Sequence, residues 1–430
     1  MSGTGVCESV VTGSAVRETA VPESAAMTAR TTAEADDYER PVPLPRGFHA
    51  HVANVGIKDD TDDFVVVTSD VGCNATAMFT RSRFAGPSVV VSRDHAGDGR
   101  LRAVVVVSKN ANVATGEQGL ANARELAAGV GTAVGCNPRD VLVSSTGVIG
   151  RQYPMERIRT HLAQMVERSG PFDSTDAAAV ATAMMTTDTF AKTASASIGD
   201  GPGAPRVVGV AKGVGMIEPD MATMLTFVFT DAEVPAEVLD RVTRAVVART
   251  FNSLSVDTDT STSDTAAVLA NGLAGPVDED AFSVALEAVC TDLVRQLARD
   301  GEGATTLLLV DVAGARDDDQ ARRVAKAIVN SPLVKTAVHG ADPNWGRVAM
   351  AIGKCSDDTD IDQEKVSIRF GAAEVYPRPV TEAELGTLEE YLRGDEVLIS
   401  VDLGIGSGAW RVYGCDLTDG YVRINADYTT

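Results

Sequence analysis

Positive charge, paired cysteines and long apolar runs are what this chain lacks. Its 38 Lys and Arg stand against 60 Asp and Glu, a formal net charge of −22 at pH 7. That excess argues against nucleic acid as a partner, because such binding depends on neutralising phosphates with Lys and Arg. No run approaches the roughly 18 apolar residues that a bilayer span needs, so no membrane is expected. The six cysteines (Cys7, Cys73, Cys136, Cys290, Cys355, Cys415) are scattered without a C-x-x-C pair. The five histidines form no H-E-x-x-H or Cys/His group, so no metal site is expected. Scattered cysteines with no signal peptide fit a reducing cytoplasm. A dinucleotide loop is missing too, since Gly213-Val214-Gly215 runs into Glu218 where a third glycine would stand.

What is present is a globular body. The chain has 430 residues, 44% of them hydrophobic, enough for a large core and for two domains rather than one. Residues 1–45, rich in Ser, Thr, Ala and Glu and ending in a proline-punctuated segment, read as a disordered tail. From Gly47 onward strands and helices alternate. Strands are expected at 63–68, 103–108, 207–210, 223–229, 305–310, 365–369 and 397–401. A helical stretch lies between Gly119 and Gly131; Met155, Ile158, Leu162 and Met165 share one helix face, as do Phe282, Leu286, Val289, Leu293 and Leu297. The glycine-rich 199–203 segment and Pro377-Arg378-Pro379 are candidate linkers. The pattern is α/β, or α+β with helix-covered sheets.

The stretch with most chemical potential is Lys212-Gly213-Val214-Gly215-Met216-Ile217-Glu218-Pro219-Asp220-Met221-Ala222-Thr223-Met224-Leu225, a Gly- and Pro-rich loop running into a strand. A threonine entering a strand is ordinary in itself, since Thr favours strands. The same position also suits a self-cleaving precursor. There the Thr223 hydroxyl attacks the Ala222 carbonyl, and hydrolysis of the resulting ester leaves Thr223 as a new N-terminus. Its α-amine, with an unperturbed pKa of about 7.7–8.0, can then serve as base for its own hydroxyl. Ser144-Ser145-Thr146-Gly147-Val148-Ile149-Gly150 follows the strand-like Val141-Leu142-Val143. It can be a capped strand-to-helix turn, or a turn whose hydroxyl and N–H groups stabilise a developing oxyanion.

These stretches resemble the ornithine acetyltransferase family, glutamate N-acetyltransferases that cut themselves before the Thr of an M-A-T-M-L motif. The resemblance runs from about Arg46 to Thr430. It takes in Asn110-Ala111-Asn112-Val113-Ala114-Thr115-Gly116, Val338-His339-Gly340-Ala341-Asp342-Pro343-Asn344-Trp345-Gly346-Arg347 and the terminal Asn425-Ala426-Asp427-Tyr428-Thr429-Thr430. It implies an αββα sandwich with a smaller C-terminal domain from about residue 315, and cleavage between Ala222 and Thr223 into an α chain (46–222) and a β chain (223–430). It also implies Thr223 as nucleophile and Thr146 with Gly147 as oxyanion hole. Substrate contacts are implied at Thr189, Lys212, Thr223, Glu302, Asn425 and Thr430. A lysine can hold the α-carboxylate shared by acetylornithine and glutamate as a point charge, and Glu302 can answer the ornithine ammonium. The implied reaction moves acetyl from N-acetylornithine to glutamate by a ping-pong route, with no cofactor, in an assembly of two α and two β chains.

Two departures from the commoner family pattern stand out. Glu218-Pro219-Asp220 replaces a small residue, Pro and Asn, and Ser263 in Thr260-Ser261-Thr262-Ser263-Asp264-Thr265 replaces an Asn. Both, with Gly150-Arg151-Gln152-Tyr153-Pro154-Met155-Glu156, look like the branch of the family found with clavulanic acid biosynthesis. Arginine synthesis and a clavam-type pathway therefore both stay open, as does use of acetyl-CoA. An amidase or aminopeptidase on the same scaffold, with water as acceptor, is a further reading. A non-catalytic binding protein, which would not be processed, is another.

Overall fold

The computed structural model describes residues 42–168, 170, 172–218 and 224–427. The Ala222-Thr223 step and Thr430 lie outside these described residues, as does the tail up to residue 41. Leu44, assigned to the tail from sequence, is buried, and its N–H donates to Thr175 O at 2.7 Å.

The first sheet comprises β1 (Phe48–Ala53), β2 (Phe64–Phe79), β3 (Arg100–Val107), β4 (Val141–Ser145), β5 (Lys192–Ser197), β6 (Arg206–Lys212), β7 (Leu225–Thr230) and β8 (Thr265–Ala270). Its order is β4-β3-β2-β8-β7-β6-β5, with β1 also paired to β2. The sixteen-residue β2 is the hinge of the arrangement. Its first part pairs with β1 and β3, its second part with β8, and the register against β3 shifts between Thr68 and Cys73. An irregularity of this kind bends a strand and sharpens its twist.

The sheet thereby folds into two facing halves. Phe48, Val65 and Val104 from one half share a core with Val208, Phe227 and Phe229 from the other. The Phe48 and Phe229 ring centroids are 5.1 Å apart. Because side chains alternate along a strand, Phe64, Val66, Val105 and Val107 point outward from the first half. There α1 (Pro87–His95), α2 (Gly116–Val134) and α3 (Met155–Glu167) cover them. The short α4 (Ala177–Met184) contributes Val180, Ala181 and Met184 to the core between the halves. Over the second half lie α5 (Ala236–Arg249) and α6 (Glu279–Arg299). The result is the αββα sandwich.

A second sheet, order β11-β10-β12-β9-β13, is built from β9 (Leu307–Ala315), β10 (Ser367–Phe370), β11 (Ala373–Tyr376), β12 (Glu396–Asp402) and β13 (Gly408–Cys415). One face packs under α7 (Asp318–Val329), α8 (Pro332–His339), α9 (Trp345–Gly353) and α10 (Glu382–Leu392). The other face sends Leu307, Leu309, Tyr413 and Cys415 into the same core as α5 and α6. Here α6 is the seam, with ten buried residues that include Phe282, Leu286, Val289, Leu293 and Leu297, and a buried side chain of this kind is worth about 1.5–3 kcal/mol. The last described element is α11 (Asp419–Asp427).

One sequence expectation is corrected. The 199–203 segment is no linker; it is the turn joining β5 to β6, which pair antiparallel from Lys192↔Ala211 to Ser197↔Arg206. Glycines serve there because Gly199, Gly201 and Gly203 all adopt positive φ.

Candidate active site

Lys212 closes β6 opposite Leu225, the first residue of β7, and Leu225 in turn pairs with Thr265 at the start of β8. The loop carrying the proposed cleavage step therefore springs from adjacent strand ends. The Thr146-Gly147 turn is placed the same way at the end of β4, where Thr146 N donates to Val107 O at 3.1 Å. Between these strand ends is a cavity of about 280 Å³. Thr146, Gly147, Lys212, Glu302, Asn425 and Met224 are among its walls.

Gly147 cannot be replaced without moving backbone. Its φ is +124°, and a Cβ there would lie 2.3 Å from the Lys109 carbonyl carbon. Its N–H finds no acceptor among the described residues. Lys212 Nζ lies 3.4 Å from Thr146 Oγ1 as donor and 2.7 Å from Thr186 Oγ1. Since Lys212 is the donor, the Thr146 hydroxyl proton is free to point elsewhere. A hydroxyl and an N–H are thus available on one turn, the donor set that a developing oxyanion needs.

Behind Lys212 is a buried charge cluster that sequence reasoning missed. Lys192 Nζ sits 2.8 Å from Asp188 Oδ1 and 2.5 Å from Asp300 Oδ2, with Lys192 and Asp188 side chains fully buried. Asp188 Oδ2 is 3.7 Å from Lys212 Nζ, and Asp188 also accepts from Gly213 N at 2.7 Å and Thr186 N at 3.1 Å. Two cations and two carboxylates leave the cluster neutral, which is what makes burial of such charges tolerable. Burial works to raise the Asp188 carboxyl, but Lys212 and Lys192 outweigh it and hold Asp188 below the usual carboxylate range. Burial pushes the Lys212 ammonium below the ordinary lysine value, with Asp188 opposing. The only sequence signal for this cluster is the Asp188–Lys192 spacing of four.

Glu302 is fixed against the loop from Lys212, its N–H donating to Val214 O at 2.8 Å. Gly215 lets its carboxylate approach, since a Cβ there would meet Glu302 Oε2 at 2.5 Å. Asn425 Nδ2 donates to Glu302 Oε2 at 2.8 Å, and Thr187 Oγ1 to Oε1 at 3.4 Å. The C-terminal segment is therefore helical up to Asp427 and joins the cavity wall. Thr189 is placed otherwise. Its N–H donates to Asp300 Oδ2 at 3.0 Å and its hydroxyl to Asp300 Oδ1, and it is not among the cavity walls. Thr186 and Thr187, in the same stretch, are. Asp264 also lines the cavity and is almost wholly buried.

Among the described residues no group of three or more His, Cys, Asp or Glu could hold a metal, and no helix is long and apolar enough to cross a membrane. Comparison with known proteins gives a match of residues 49–430 to the model of the ArgJ family. The chain is 57% identical over 394 residues to glutamate N-acetyltransferase Oat2 of Streptomyces clavuligerus, covering 90% of this chain and 98% of that protein. It is 54% identical over 389 residues to arginine biosynthesis bifunctional protein ArgJ of Rhodococcoides fascians, covering 90% and 94%. A crystal structure of ArgJ from Bacillus halodurans aligns at 44% identity and a TM-score of 0.44, covering 47% of this chain and 98% of that one.

Proposed function

This chain belongs to the ArgJ family, and from that premise we propose that it cuts itself between Ala222 and Thr223 and then carries acetyl from N-acetylornithine to glutamate. It is an acyltransferase. In the first stage the Thr223 hydroxyl attacks the Ala222 carbonyl and its own amide nitrogen leaves as an amine. Water then hydrolyses the ester. In the second stage the same hydroxyl, its proton taken by the new α-amine, attacks the acetyl carbonyl; ornithine leaves and acetyl-Thr223 remains. Attack by the glutamate amine returns free Thr223 and releases N-acetylglutamate. Thr146 and Gly147 donate to the oxyanion in each step. Lys212 holds the substrate α-carboxylate, Glu302 the ornithine side-chain ammonium, and Asn425 fixes Glu302, with Thr430 as a further contact. The active form is an assembly of two α and two β chains, in the cytoplasm.

The observation that supports this reading is convergence. The Thr146-Gly147 pair, Lys212, Glu302 and Asn425 lie far apart in sequence, yet all line the cavity bounded by Met224, the residue after Thr223. A denaturing gel with N-terminal sequencing is the test. The expected result is two chains of 222 and 208 residues, the second beginning Thr-Met-Leu-Thr-Phe, and an uncut, inactive Thr223→Ala chain. A full-length wild type that still transfers acetyl would end the mechanism. Ornithine release that ignores added glutamate would identify a hydrolase instead.

A further inference from the structure

The proposed transfer asks one pocket to hold two side chains of opposite charge, the ammonium of ornithine and the carboxylate of glutamate. Among the described residues that line the cavity, Lys212 is the only cation, and the α-carboxylate common to both substrates belongs to it. The side-chain end is set by Glu302, which has no freedom to turn away. Its N–H donates to Val214 O at 2.8 Å, Gly215 packs against its carboxylate, and Asn425 Nδ2 and Thr187 Oγ1 donate to its two oxygens. The next residue is fixed as well. Gly303 O accepts from Thr418 Oγ1 at 2.6 Å, and a Cβ on Gly303, at φ +70°, would lie 2.4 Å from Tyr421 N in α11. Asn425 uses both of its amide protons, one on Glu302 and one on Tyr421 O at 3.0 Å. It has none left for a second carboxylate.

Two carboxylates at hydrogen-bond distance do not both stay ionised; one proton between them replaces repulsion by an O–H···O⁻ bond. We propose that Glu302 serves both halves of the reaction by changing its proton count: a carboxylate against the ornithine ammonium, and one shared proton against the side-chain carboxylate of glutamate or N-acetylglutamate. The proton comes from solvent on binding and returns on release. This rests on the acetyl transfer proposed above. Few other charged or titratable groups face Glu302. From β6, the Lys212 ammonium feels its carboxylate. From α11, so does the Tyr421 phenol, which burial pushes up to about 12, so that it stays protonated through neutral pH. Asp300, two residues back, is turned to Lys192 and Thr189, and Asp264 lines the same cavity.

The processed enzyme is tested with N-acetylornithine or N-acetylglutamate as donor and hydroxylamine as common acceptor, and kcat/KM for each donor is followed across neutral pH. Neither donor carries a free α-amine, and the Thr223 chemistry is common to both, so its titrations cancel in the ratio of the two constants. The ratio of N-acetylornithine to N-acetylglutamate should climb about tenfold per pH unit, the mark of one proton bound with one ligand and not with the other. In Glu302→Gln, whose amide stands in for the protonated carboxyl, the ratio should become independent of pH. Above neutrality it should fall about a hundredfold below that of wild type, the effect of removing a charged hydrogen-bond partner from the ammonium. The wild-type profile needs no substitution, so it decides even if the variant misfolds. A wild-type ratio indifferent to pH, or a slope that survives in Glu302→Gln, would overturn the shared proton. Turnover of neither donor would overturn the acetyl-transfer reading and this proposal with it, and the two failures are distinct.

Discussion

Asp188 and Asp264 are both buried carboxyls beside the same cavity, and their pKa values are shifted in opposite directions. Asp188 meets two lysines and two backbone N–H groups and is held charged. Asp264 Oδ2 has no hydrogen-bond partner among the described residues. Burial pushes its carboxyl well up, and the Ser261 and Thr80 hydroxyls, the Met224 N–H and Lys212 oppose this without prevailing. Depth of burial is nearly the same; neighbours decide the charge. The consequence for the site is that one wall carries a carboxylate balanced by lysines, while in the other burial works against the charge of the Asp264 carboxyl.

The strongest way to break this contrast is Asp188→Ala. It leaves Lys192 and Lys212 buried with one carboxylate fewer, and losing one partner of a buried ion pair costs about 3–5 kcal/mol. A urea titration of the uncut Thr223→Ala chain, where unfolding involves one polypeptide, should show a midpoint lowered accordingly. A midpoint equal to that of the parent would mean that these charges do not depend on one another. A smaller effect, on rate rather than stability, is expected for Thr146→Ala. Losing one oxyanion donor should lower acetyl transfer by roughly two to three orders of magnitude, while the urea midpoint hardly moves because only a turn hydroxyl is removed. Near-normal turnover would return Thr146 to a structural turn and leave the Gly147 N–H as the oxyanion donor on that wall.

Much of this was readable in the sequence, unevenly. The faces of α2, α3 and α6 follow from helical spacing, and β2, β3, β6, β7, β9, β10 and β12 from apolar runs. The folding of one sheet into two facing halves was not readable. It depends on a register shift inside β2, which leaves no periodic signal, and the stacking of layers came from family resemblance. Thr146, Gly147, Lys212, Glu302 and Asn425, which motifs carry, line one cavity. No motif carries the Asp188–Lys192–Asp300 cluster, since Asp300 is 108 residues from Lys192 and only the fold brings them together. Thr189 shows the limit of a motif. It sits in the right stretch, but its hydroxyl is spent on Asp300, and its neighbours Thr186 and Thr187 reach the cavity instead.

The smallest expected effect is also the sharpest in sign. Asp264 has a folded-state pKa raised above its unfolded value of 3.8, so the fold favours its neutral form. The unfolded chain ionises as pH rises past that value and gains what the folded chain does not, so the contribution of Asp264 to stability is intact below about 3.8 and is lost as pH climbs toward the folded pKa. Asp264→Asn keeps the shape and removes the titration. Near pH 4 its stability should lie within roughly 1 kcal/mol of the parent, and its advantage should grow as pH rises to 7. Asp188, with its pKa lowered from 3.8, predicts the reverse. Its contribution is present above 3.8 and fades as pH falls, so the deficit of Asp188→Asn should be largest at neutral pH and shrink in acid. Urea midpoints of both variants and the parent, taken at pH 4, 5.5 and 7, would give two difference curves of opposite slope. Parallel curves would show that the two carboxyls are not shifted in opposite directions, and the contrast between them would have to be given up.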